Sequence, residues 1–196
     1  ETVLGGPFRM GPGGKGGNQA VAAARQGSDV RMVTKVGNDS FGRDALQHFQ
    51  NESIDTAHVF VDETEATGTA LIAVDDQGEN MIVVSPGACG NLNAADVKKA
   101  EASIRESDIL LVQLETSLEA VQEAVRLARI HDVPVILNPA PYQPVPLELL
   151  KNVTCLTPNE TEASLLTGIQ VQDDASAEEA AKIMHNWGVP HVIVTL

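Results

Sequence analysis

From Leu92 onward, short apolar strands alternate with amphipathic helices, and this alternation constrains the fold more than any other feature of the chain. Ile109-Leu110-Leu111-Val112 is a continuous apolar run, the pattern of a parallel strand buried on both faces. Thr116 with Glu119 three residues later reads as a capping box, after which Val121, Ala124, Val125 and Ala128 line one helical face. Val133–Leu137 is the next strand, ended by the proline-rich stretch from Pro139 to Pro146. Cys155-Leu156-Thr157 is a third, followed by a helix over Glu160–Leu166 that stops at Gly168. Ser176 with Glu179 caps a further helix, and His191–Leu196 reads as a fourth strand. Strands that alternate with helices in this way predict an α/β fold, an open and mostly parallel sheet covered by helices on both faces.

The residues before Leu92 read differently. Asn18–Arg25 and Ser40–Asn51 are helical in pattern and flank a strand at Val30–Val36. Thr69–Val74 and Asn80–Ser85 flank Asp75-Asp76-Gln77-Gly78, a hairpin signal. Thr2-Val3-Leu4 and Phe8-Arg9-Met10 are strand-like as well. The expected organisation is one α/β domain over residues 1–196, with elements of a small β lid in about 1–12 and 56–90.

A chain of 196 residues can bury a core without disulfides or structural metals. Its net charge of −14 and 3% aromatic content argue against nucleic acid, which asks for a basic face and stacking rings. Cys89 and Cys155 form no CxxC or paired framework, so two reduced thiols in a cytoplasmic protein are expected. The histidines show no HxxxH, which speaks against zinc. No apolar run has the length of a membrane span.

Gly11-Pro12-Gly13-Gly14-Lys15-Gly16-Gly17-Asn18 is the densest local signal. A phosphate-binding GxxxxGK[ST] loop fails, with Arg9 at its first glycine and Gly16 at its hydroxyl position. A dinucleotide GxGxxG is formally met by Gly11, Gly13 and Gly16, with Asp39 at a distance suited to a ribose contact, but no buried strand precedes it. A flexible linker would not run into a helix as regular as Gln19–Arg25. What remains is a loop whose missing side chains let a ligand approach backbone amides at a helix N-terminus.

Gly13 to Ala24 closely resembles the first signature of the ribokinase-like carbohydrate kinases. The resemblance continues through Val36-Gly37-Asn38-Asp39-Ser40-Phe41-Gly42, Thr67-Gly68-Thr69-Ala70, Gln113-Leu114-Glu115, Asn138-Pro139-Ala140-Pro141 and Thr157-Pro158-Asn159-Glu160-Thr161-Glu162, in that order. It implies a magnesium-ATP-dependent kinase acting on the primary hydroxyl of a small sugar, D-ribose in first place. It also implies a β lid that closes on the sugar and a homodimer formed through those lids.

The same resemblance assigns sugar contacts to Gly14, Lys15, Gly16, Gly17, Asn18 and Glu115, with Gly17 standing where ribokinases more often carry alanine. Asn159 and Thr195 are assigned to the nucleotide, and Glu162 to Mg²⁺ through water, which suits an ion that keeps most of its hydration. Each has a simpler reading: a solvated cation for Lys15, a first-turn carboxylate for Glu115, a capping box for Asn159 with Glu162, a strand end for Thr195. Asn138, before Pro139, is expected to stand behind the site. The family's GAGD-type motif, which carries the catalytic base, does not occur; the sequence holds no GxGD. The base and the K⁺ site are therefore expected beyond Leu196, and an acidic sugar contact before Glu1. The chain is read as a kinase domain truncated at both ends, itself inactive. The rival readings are another sugar or nucleoside kinase, a non-catalytic binding module built on the same fold, and a nicotinamide-binding protein.

Overall fold

The structure is a computed structural model that describes residues 5–196. Its largest sheet has four parallel strands in the order β5 (Leu110–Val112), β6 (Val135–Leu137), β7 (Cys155–Leu156) and β8 (His191–Val192). Register follows from pairs such as Leu111 with Ile136, Leu137 with Leu156 and Leu156 with Val192. The crossovers are α6 (Leu118–Ile130), the short α7 (Leu147–Leu150), and the pair α8 (Glu160–Thr167) and α9 (Asp174–Asn186). Leu127, Leu137, Leu150, Leu156 and Met184 are almost fully excluded from solvent, so the core lies where these helices meet the sheet. The apolar face expected at Val121, Ala124, Val125 and Ala128 is buried as a stripe at helical spacing.

A second, two-stranded parallel sheet with its helices comes from the first half of the chain. The helix α1 (Lys15–Arg25) leads to β1 (Arg31–Gly37), and α2 (Ser40–Asn51) leads to β2 (Asp55–Asp62), which pairs parallel with β1. Ala20, Phe49 and Ile54 form its own small core. Lys35 of β1 ties this sheet to α4 (Ala94–Lys99) through a 2.6 Å ion pair with the buried Asp96. After β2 come β3 (Thr69–Val74) and β4 (Asn80–Ser85), an antiparallel ribbon joined to α4 through α3 (Gly87–Gly90). The short α5 (Glu101–Arg105) leads on to β5.

Several boundaries differ from the sequence reading. Phe8-Arg9-Met10 forms no strand and is exposed, while Thr2-Val3-Leu4 lies outside the described residues. Residues 56–62, at the start of the span assigned to the lid, belong to β2 and pair with β1 instead. The N-cap of α6 is Ser117, not Thr116; its hydroxyl accepts from the Ala120 amide at 3.1 Å. The N-cap of α9 is Asp173, with Ser176 as its return partner rather than the cap. The fourth strand is only His191–Val192, with one further parallel bridge between Asn159 and Thr195.

Candidate functional site

Every strand of the larger sheet runs the same way, so the loops after β5, β6, β7 and β8 emerge along one edge, where open α/β sheets bind ligands. The loop after β5 carries Glu115, whose Oε2 accepts the backbone N–H of Lys15 at 2.6 Å. Gly14, at φ +83°, is the N-cap of α1 and supplies no side-chain cap, so a carboxylate from 100 residues away serves that helix end. A Cβ on Gly14 would lie 3.6 Å from Glu115 Oε2, and one on Gly16 would lie 2.9 Å from Gln113 Oε1. Gln113 is bonded in turn to Gln19. The side chains of Lys15 and Asn18 are exposed on the same turn. The structure thus brings together Gly14, Lys15, Gly16, Gly17, Asn18 and Glu115, offering ammonium, amide and carboxylate groups suited to a polyol.

Asn159 and Glu162 sit at the start of α8. The Asn159 side chain accepts the Glu162 amide at 2.8 Å, and Glu162 Oε2 accepts the Asn159 amide at 2.9 Å, so the capping box is formed. Glu162 is 8% exposed, and its Oε1 has no hydrogen-bond partner among the described residues. Thr195 bridges to Asn159 in parallel, and its amide donates to Pro158 O at 3.0 Å. These residues follow β7 and β8 in the sheet that carries β5. One strand, β6, separates β5 from β7, placing the two groups about 10 Å apart at strand level. Asn138 follows β6, with its amide bonded to Val112 O at 2.9 Å.

The described residues hold no cluster of three or more His, Cys, Asp or Glu side chains that could cage a metal ion. A single carboxylate oxygen at a helix start fits a hydrated Mg²⁺ held through water, and it fits no ion that needs a full set of protein ligands. Burial pushes the Cys89 thiol up, against the bond with Thr34 and with the help of the Glu115 charge.

Asp39, weighed above as a ribose contact, does something else. It caps α2, with Oδ1 accepting the Gly42 amide at 2.8 Å and the Thr67 hydroxyl at 2.7 Å, while Oδ2 accepts the Thr67 amide at 2.8 Å. Thr67 Oγ1 accepts the Gly37 amide at 2.9 Å. The segments Val36–Gly42 and Thr67–Ala70, separate in sequence, therefore form one joint at the foot of the ribbon. Asp62 binds the other side of that foot, accepting Thr64 and Glu65 amides and, through Oδ2, Asn91 Nδ2 at 3.2 Å. Sequence reading missed Asp62, Asn91 and the Asp39–Thr67 pair. The sole local signal was an Asp placed to cap Ser40–Asn51.

The start of the glycine-rich helix α1, held by Glu115, and the capped start of α8 both lie at the loops that follow strands of one parallel sheet, the arrangement of an α/β protein with its ligand crevice at the strand ends. A sequence profile of the pfkB family carbohydrate kinases matches residues 1–196, and the chain belongs to that family. It is 45% identical over 196 residues to a ribokinase of Haemophilus influenzae, covering all of this chain and 64% of that one. A deoxyribokinase of Salmonella typhi is 35% identical over 200 residues, again covering all of this chain and 64% of the relative. The solved structure of Arabidopsis thaliana ribokinase complexed with ribose and ATP superposes with a TM-score of 0.83 at 28% identity, over 93% of this chain and 60% of that one. The chain therefore spans somewhat less than two thirds of these relatives.

Proposed function

We propose that the full-length protein transfers the γ-phosphoryl group of ATP to the primary 5-hydroxyl of D-ribose, giving ribose 5-phosphate and ADP. The observation that carries this reading is the joining of the glycine turn of α1 to Glu115. It gathers an ammonium, an amide and a carboxylate beside glycines that add no side chain of their own. In this reading Gly14, Lys15, Gly16, Gly17, Asn18 and Glu115 hold the sugar hydroxyls. Glu115 then exchanges its bond to the Lys15 amide for, or shares it with, a sugar O–H. Asn159 and Thr195 hold the nucleotide, whose phosphates meet the free amides at the start of α8.

Glu162 Oε1 is the group that would hold Mg²⁺ through water. An ion held there would supply positive charge against the phosphates. The sugar oxygen forms the new P–O bond, the bond to the ADP oxygen breaks, and the hydroxyl proton leaves to a base that is assigned to no residue of this chain. A K⁺ site is likewise assigned to none.

The ribbon β3–β4 is the lid of this reading. Its strands expose Leu71, Ile72, Val74, Met81, Ile82, Val83 and Val84, which supports both cover for a sugar and pairing of two copies into a homodimer. A cytoplasmic setting fits two free thiols and the net charge of −14.

The similarity to a deoxyribokinase makes 2-deoxyribose the competing substrate. Initial rates of ADP release with D-ribose, 2-deoxyribose, fructose and a nucleoside separate the readings. Ribose should lead, and Asn18→Ala should raise its KM while leaving that of ATP unchanged. A lead for any other acceptor would refute the ribose assignment.

A further inference from the structure

The ribbon has no packing to hold it in place: every residue of β3 and β4 is exposed. Its direction is therefore set where it leaves the α/β layer. There the contacts are backbone against backbone. A Cβ on Gly37 would meet Glu65 O and the Thr67 N at 2.5 Å, one on Gly68 would meet Pro86 O at 2.4 Å, and one on Gly87 would meet Ala66 O at 2.3 Å. The Ala88 amide donates to Ala66 O at 2.8 Å, joining the outgoing foot to the incoming one. Thr67 sits at the centre, with its amide and both capacities of its hydroxyl taken up by Asp39 and Gly37. Beyond it, a strand of 6 residues reaches about 20 Å, so a tilt of about 10° at the foot moves the tip by roughly 3–4 Å. That displacement equals a hydrogen-bond length.

We propose that Asp39 and Thr67 form a positioning pair that fixes the angle at which the ribbon leaves the α/β layer and so controls sugar affinity, an inference that rests on the sugar-kinase reading above, with the ribbon as its lid. The Thr67 hydroxyl is the adjustable member, since it bonds a carboxylate of the β1–α2 loop while belonging to the ribbon's foot. Both side chains are engaged in the joint itself. Their effect passes through the ribbon.

The test compares Thr67→Val, which keeps shape and loses the hydroxyl, with Thr67→Ser, which keeps the hydroxyl, in the full-length protein. Hydrogen exchange, thermal melting and separate KM values for ribose and ATP are read for each. Thr67→Val should speed exchange in residues 63–85 and leave other segments unchanged. It should also raise the ribose KM about tenfold, the scale of losing the charge-assisted bond to Asp39, with the bond from the Gly37 amide lost beside it, and leave the ATP KM and kcat within about twofold. Thr67→Ser should restore both. Equal behaviour of the two variants, an unchanged ribose KM, or a uniform fall of all parameters with the melting temperature would overturn the proposal. If the wild-type protein phosphorylates no sugar, the kinase reading falls, and exchange alone decides the pair: faster exchange of the ribbon in Thr67→Val upholds it, and unchanged exchange overturns it.

Discussion

Glu162 is the residue at which the structural and the chemical readings can be separated by a single atom. Its Oε2 closes the capping box of α8 at 2.9 Å from the Asn159 amide, and its Oε1 is the oxygen assigned to the hydrated metal. Glu162→Gln keeps an oxygen able to accept the Asn159 amide and removes the charge. The stability cost is then the lost interaction with the helix N-terminus, about 0.3–1 kcal/mol. For a chain of this size that lowers the melting temperature by roughly 1–4 °C. Glu162→Ala also leaves the Asn159 amide unpaired, which adds about 1 kcal/mol or more. If the carboxylate also organises Mg²⁺ through water, both substitutions should raise the magnesium concentration for half-maximal activity by about 10–100-fold, the usual scale for residues that orient a metal's shell. The assay is a magnesium titration of the full-length kinase at saturating ribose and ATP, beside a thermal melt. A Glu162→Gln protein with an unaltered magnesium requirement would refute the metal role and leave only the cap.

The buried core, the acid behaviour and the turnover of the chain supply further tests. Leu137 on β6 is fully excluded from solvent, so Leu137→Ala should cost about 3 kcal/mol in urea unfolding, and a loss under about 1 kcal/mol would mean the sheet is not packed as described. Bonds from the Thr67 hydroxyl and amide, then from the Gly42 amide, hold the Asp39 carboxyl below its ordinary value of 3.8. A carboxylate lowered on folding adds stability that is complete above that value and is lost as pH falls through the lower folded value. The stability gap between wild type and Thr67→Val should accordingly narrow below about pH 4; a gap that stays constant to pH 2 contradicts the bonding. The 196-residue polypeptide, whose sequence holds no GxGD, should phosphorylate ribose no faster than background. Loss of a general base alone removes about 10²–10⁴ in rate, and turnover near that of the full-length protein would mean a base lies within Glu1–Leu196.

What the sequence made legible was local. The helix Ser40–Asn51 and the strands Thr69–Val74 and Asn80–Ser85 fall at the residues their patterns predicted. A cap and a four-residue turn need only neighbours to act. The start of α1 was hidden, since the helix begins at Lys15 and runs through Gly16 and Gly17, residues that oppose helix on propensity. The carboxylate that caps it arrives from Glu115, across 100 residues. The cap of α6 shifted because Thr116 and Ser117 can both serve, and that of α9 because Asp173 and Ser176 are reciprocal members of one capping box; only backbone angles tell which is the cap. The fold brings the residues that the resemblance assigned to the sugar together, Gly14–Asn18 on one turn and Glu115 against it. The Asp39–Thr67 joint was not, for it exists only once β1, α2 and the ribbon foot have met.

Phosphoryl transfer to the primary hydroxyl of D-ribose, proposed for the full-length protein, is read directly by ³¹P NMR of the product. Full-length protein with ATP, Mg²⁺ and an equimolar mixture of D-ribose and 2-deoxyribose should yield a phosphomonoester coupled to two methylene protons, with ribose 5-phosphate as the major species. A phosphate on a ring carbon, a predominance of the deoxy sugar phosphate, or ADP formed with inorganic phosphate and no sugar ester would contradict it.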